Sequence, residues 1–76
     1  KKNIYFYPNP TSRLLRVHSE IIHEQLEISI FNITGQKIDT VKNKTEFNIS
    51  HLKKGTYFIS LKMNETINTE KIIKIE

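Results

Sequence analysis

Seventy-six residues without a cysteine leave room for one small domain and exclude a disulfide framework, a thiolate nucleophile and a cysteine-ligated zinc site. A chain this short buries only about 60–65% of its unfolded surface, so little core remains from which to carve a catalytic pocket. The formal charge of +4 is modest for a nucleic-acid binder, no apolar run approaches the roughly 20 residues of a membrane-spanning helix, and Lys1-Lys2-Asn3 is not followed by the apolar stretch of a signal peptide.

Thirteen isoleucines and seven threonines, with no alanine, tilt the local preference from helix to strand. Leu26, Ile28 and Ile30 alternate with Glu27, Ser29 and Phe31, and Tyr57, Ile59, Leu61 and Met63 alternate with Phe58, Ser60 and Lys62, the period of a half-buried strand. In chain order, strands are expected at Ile4–Tyr7, Leu14–His18, Leu26–Asn32, Lys37–Val41, Phe47–Ile49, Thr56–Met63 and Thr66–Ile75. Thr34-Gly35-Gln36 and Met63-Asn64-Glu65-Thr66 are short enough to be hairpin connections, so the strands they join should pair antiparallel. Short strands without a crossover helix suit two sheets packed face to face, and the expected class is an all-β, seven-stranded antiparallel immunoglobulin-like β-sandwich. Its expected core is Leu15, Val17, Ile28, Ile30, Ile49, Tyr57, Ile59 and Leu61. The domain is expected over residues 3–76, with Lys1 and Lys2 as the end of an upstream linker.

Two segments have a conformational signature. In Tyr7-Pro8-Asn9-Pro10 two prolines fix φ and push Tyr7 and Asn9 toward extended conformations, so the first strand should leave as a stiff, non-pairing segment. In Leu52-Lys53-Lys54-Gly55-Thr56-Tyr57 a glycine precedes an aromatic strand, with Leu52 placed to plug the end of the core while the lysines face water.

Chemistry-bearing residues are sparse. His18, His23 and His51 match no metal-ligand spacing, and no metal or cofactor is expected. Asp39, the lone aspartate, has no serine on a G-x-S-x-G elbow to serve. Glu20, Glu24 and Glu27 lack the sugar cleft that paired glycosidase acids require. Tyr5, Phe6 and Tyr7 beside Lys1, Lys2, Arg13 and Arg16 have the composition of a single-strand nucleic-acid clamp, but strand aromatics are more often core, and no nucleic-acid partner is expected. The N-x-[ST] triplets at Asn32, Asn43, Asn48 and Asn64 follow from seven asparagines among twelve Ser/Thr and carry no argument.

The order of the segments is more telling than any one of them. Tyr7-Pro8-Asn9-Pro10, then Leu15-x-Val17, then Ile30-Phe31-Asn32-Ile33-Thr34-Gly35-Gln36, then Ile49-Ser50-x-Leu52-x-x-Gly55-Thr56-Tyr57 closely resemble the C-terminal sorting domain of the type IX secretion system of Bacteroidota. The end, Glu70-Lys71-Ile72-Ile73-Lys74-Ile75-Glu76, is similar to the lysine-bearing last strand of that family. A glutamate after the final Lys-Ile-Ile-Lys-Ile and an isoleucine-rich core where valine is commoner are the departures.

The resemblance implies a transport signal and not an enzyme: a tail at the C-terminus of a larger cargo protein, passing through the periplasm to the outer-membrane surface or the medium. It implies as partners the type IX translocon, a surface peptidase that cuts before the tail, and a covalently linked N-terminal cargo domain. Translocon recognition is expected among Tyr7, Pro8, Asn9, Pro10, Gly35, Gln36, Leu52, Gly55, Tyr57, Lys71 and Lys74. The last strand is expected to present an unpaired edge with two exposed lysines for strand addition, an edge through which an incidental homodimer can also form. The competing class is an immunoglobulin-like adhesion or carbohydrate-binding module of a surface enzyme, which should show aromatics lining an exposed groove.

Overall fold

The computed structural model describes residues 4–9, 12–19, 25–63 and 66–75. It contains seven strands, β1 (Ile4–Tyr7), β2 (Leu14–Ser19), β3 (Leu26–Phe31), β4 (Lys37–Lys42), β5 (Glu46–Asn48), β6 (Gly55–Met63) and β7 (Thr66–Lys74). These form a three-stranded sheet in the order β1-β2-β5 and a four-stranded sheet in the order β4-β3-β6-β7, and every pairing is antiparallel. Read as immunoglobulin strands, β1, β2 and β5 take the places of A, B and E, while β3, β6 and β7 take those of C, F and G with β4 added beside C. The all-β sandwich expected from the alternation is therefore present.

Period two decides which side chains meet between the sheets. On β6, Tyr57, Ile59, Leu61 and Met63 are buried while Phe58 and Lys62 are exposed. On β3, Leu26, Ile28 and Ile30 face the same way, opposite Met63, Leu61 and Ile59 respectively. Leu15 and Val17 of β2, with Phe6 of β1, supply the facing layer. All eight expected core residues are buried; Phe6, Leu26, Phe47, Met63 and Ile72 complete the cluster. Phe47 holds β5 in place: it is the one buried side chain of a three-residue strand, and burying an aromatic ring outweighs what so few ladder hydrogen bonds contribute. Ser29 is buried on the opposite, outer face of the larger sheet, where its hydroxyl lies 3.2 Å from that of Thr40 across the β3–β4 pair.

Strand ends follow from local polar chemistry. Asn32 was expected inside β3, but the strand stops at Phe31 because the Asn32 side chain bonds the following turn. A register shift at Ile30/Phe31 lets β4 bulge and leaves Ile38 exposed. At the other end of the same hairpin, Asn43 has φ 58°; its N–H donates to the Leu26 carbonyl at 2.8 Å and its Oδ1 accepts from Leu26 N–H at 3.2 Å. Asparagine tolerates this left-handed conformation because its short polar side chain bonds locally. The second expected hairpin pairs as foreseen, Met63 opposite Thr66; its Asn64 and Glu65, like Lys1, Lys2, Asn3, Pro10, Glu20, His23, Glu24 and Glu76, lie outside the described residues.

Candidate functional site

Register places the resembling segments at one end of the larger sheet. Phe31 pairs with Phe58 and Phe58 with Lys71, so the β3–β4 turn, the start of β6 and the last residues of β7 all lie on the same side of this row. The opposite end carries a cleft of about 430 Å³ lined by Gln25, Leu26, Glu27, Lys42, Asn43 and Lys62, none of which belongs to the candidate recognition set.

The turn is built around Asn32. Its Oδ1 accepts from Thr34 N–H at 3.1 Å, Thr34 Oγ1 at 2.8 Å and Gln36 N–H at 2.9 Å, while its Nδ2 donates to Gln36 Oε1 at 3.2 Å. Gly35 closes the loop at φ 89°, a conformation that glycine adopts without a Cβ penalty. Gln36 thus has a structural role beside any contact it makes outside the domain. Asn32, quoted in the sequence motif but not singled out, organises the whole connection.

The corner before β6 has a comparable logic. Asn48 Oδ1 accepts from Ser50 N–H at 2.9 Å and Ser50 Oγ at 2.7 Å, turning the chain out of β5. Leu52, half-buried, packs against the core, and Lys53 and Lys54 face water, as expected. The Tyr57 hydroxyl then donates to the Lys53 carbonyl at 2.6 Å. A tyrosine near the start of strand F bonding back to the chain a few residues upstream is the tyrosine corner of immunoglobulin-like sandwiches. Gly55 has φ 150°, where a side chain is strained although a Cβ would meet no atom within 4 Å. Gly55 and Tyr57 therefore act by shaping the corner.

Two lysines treated alike in the sequence part company here. Lys71 is exposed on the outer face, but Lys74 is only 2% exposed, on the core side of β7. The expectation of two exposed lysines is corrected for Lys74: strand alternation puts residues 72 and 74 on the same side, and Ile72 is wholly buried. The register partner of Lys74 is Gly55, which contributes no side chain to the space beside it.

The expected open edge of β7 is corrected at Lys71 and Ile73. After β1 the chain turns at the cis peptide bond Tyr7–Pro8, and Asn9 lies beside β7. Asn9 Nδ2 donates to the Lys71 carbonyl at 3.0 Å and Ile73 N–H donates to Asn9 Oδ1 at 3.1 Å. In return, the Phe6 N–H of β1 donates to Glu70 Oε1 of β7 at 3.1 Å. The Glu70 bond joins strands of different sheets, and Asn9 stands where a neighbouring backbone would pair.

With the strand order, the corner and this closure in view, comparison with protein families finds one model, the secretion system C-terminal sorting domain, matching residues 5–76. The chain belongs to that family. It is a type IX C-terminal sorting domain, a secretion signal, and the family is non-catalytic. No curated protein matches the chain. A sorting domain works attached to a cargo, interacts with secretion machinery, and marks that cargo for secretion or the cell surface.

Among the described residues no cluster of three or more His, Asp or Glu side chains is arranged to hold a metal ion. His18 stacks on Tyr5 with ring centroids 4.7 Å apart, and Tyr5 lies 6.0 Å from Tyr7. These rings stand on the outer face of the smaller sheet, so of the three consecutive aromatics only Phe6 is core. Arg16 bonds Glu46 across β2 and β5 at 3.1 Å, and the Asp39 carboxylate accepts from the Thr40 N–H at 2.8 Å.

Proposed function

We propose that the type IX translocon recognises the folded end of the sandwich at which Tyr7–Asn9, the Gly35-Gln36 turn and the Lys71–Ile73 edge are displayed. The observation that carries this reading is the Asn9 closure, which sets Asn9 against Lys71 and Ile73 although more than sixty positions separate them. Within the candidate set two roles separate by burial. Tyr7, Pro8, Asn9, Gln36 and Lys71 are exposed and available to a partner; Tyr57, Lys74 and the half-buried Leu52 act through the fold, and Gly35 and Gly55 through backbone conformation. Pro10 is assigned to the same segment by its place in the sequence. The exported protein is a larger cargo joined to the N-terminal side, carried through the periplasm to the outer-membrane surface or the medium, with a surface peptidase cutting before the tail.

The test is export. Residues 1–76 fused behind a periplasm-directed reporter, in a bacterium with a type IX system, should carry the reporter to the surface or medium. Removing residues 71–76 should leave it in the periplasm. Lys71→Ala, an exposed change expected to leave stability within about 0.5 kcal/mol, should reduce export without unfolding the tail. Normal export by that variant would remove Lys71 from the recognition surface, and an intact fusion held in the periplasm where a known sorting tail succeeds would defeat the reading.

A further inference from the structure

We propose that Asn9 and Glu70 form a guard that keeps the outer edge of β7 from pairing with β7 of a second copy of this chain. The register between β6 and β7 is regular from Gly55↔Lys74 to Met63↔Thr66. Backbone groups of β7 therefore point alternately toward β6 and away from it. Asn9 reaches Lys71 and Ile73 from outside, so the outward set is Ile67, Thr69, Lys71 and Ile73. Among the described residues, Ile67 and Thr69 have no hydrogen-bonding partner on that side.

This nine-residue strand is the longest edge of either sheet, and its exposed side chains include Ile67 at 62% and Ile73 at 44%. A long edge with apolar side chains is a template for another strand. A second β7 fits about a two-fold axis at Thr69: Lys71 of each copy then falls opposite Ile67 of the other, which keeps the lysines from facing one another. That pairing uses the Lys71 carbonyl, which Asn9 already occupies, and it needs the space in which the Pro8-Asn9 segment lies. Glu70 holds β1 alongside through the Phe6 N–H. The guard thus works by occupation: one amide supplies the donor and the acceptor of a missing neighbour, and one carboxylate anchors the strand that carries it.

The inference is independent of the recognition surface proposed above and is tested on the isolated domain. In the parent, the Ile73 amide should exchange with solvent more slowly than the outward amide of Thr69. Asn9→Ala with Glu70→Ala should speed Ile73 exchange by at least about fivefold, the loss of one net hydrogen bond, while Ile72 stays protected. Sedimentation should show the apparent mass rising from monomer to dimer with concentration. Adding Thr69→Pro, which removes the outward N–H at the two-fold axis on an edge strand where proline is tolerated, should return the protein to monomer. If the double variant unfolds, Asn9→Asp, which keeps the acceptor for Ile73 but cannot donate to Lys71, is read by the same two measurements. A folded variant with an open edge that remains monomeric, a dimer that survives Thr69→Pro, or Ile73 exchange unmoved by the loss of Asn9 each overturns the proposal.

Discussion

Lys71 and Lys74 offer the sharpest test of the packing, because the sequence treats them as equivalent and the sandwich does not. Replacing Lys74 by alanine removes three stem methylenes from a site only 2% exposed; at about 0.8 kcal/mol each, the lost burial is about 2.4 kcal/mol. A cavity adds to that figure. Net stability for a domain of this length is about 4–11 kcal/mol, so the loss is a large share, and it should lower the melting temperature by about 10–20 °C. Lys71→Ala, on the exposed face, should change stability by no more than about 0.5 kcal/mol. Lys74→Met, which keeps an apolar stem of similar length, should retain more stability than Lys74→Ala. Urea unfolding followed by circular dichroism on the three variants measures all of these. Equal, small effects at both positions would falsify the burial of Lys74 and with it the alternation assigned to β7.

Tyr57→Phe keeps the ring in the core and deletes only the bond to the Lys53 carbonyl; it should cost about 0.5–1.5 kcal/mol, and a melting temperature unchanged from the parent would show that the corner bond contributes nothing. Tyr57→Ala should cost about 3–5 kcal/mol, and a folded, barely destabilised variant would mean that the ring is not buried. Gly55→Ala should cost about 1–3 kcal/mol through backbone strain alone, since a Cβ there meets no neighbour within 4 Å; a neutral result in urea unfolding would show that φ relaxes at that position without loss.

Much of the sandwich was legible because β-structure writes its burial into the sequence at period two. Ile28, between Glu27 and Ser29, and Leu61, between Ser60 and Lys62, are flanked by polar residues, and a strand has no other way to bury one set and expose the other. Gly55 and Leu52 were legible as a corner with a plug for a related reason: their conformational and apolar preferences are local. The pattern reads less well near strand ends. Tyr5 and Tyr7 have the composition of core aromatics but share the outer face, because Phe6 between them takes the inward position. Lys74 carries a charge that sequence reasoning assigns to solvent, yet alternation from Ile72 carries its stem inward.

The candidate site divides along the same line. Sequence alone determined the class, the strand positions, the turns at Gly35 and Gly55 and the family resemblance, all of which depend on residues near one another in the chain and on their order. Only tertiary structure decided that Asn9 meets Lys71 and Ile73, that Glu70 meets the Phe6 N–H, and that the Tyr57 hydroxyl closes a corner. Asn9 and Glu70 are ordinary polar residues with no periodicity to mark them, and their bonds span 62 and 64 positions. Such contacts exist because packing one sheet on the other brings the first and last strands side by side, where each has backbone groups that its own sheet does not pair.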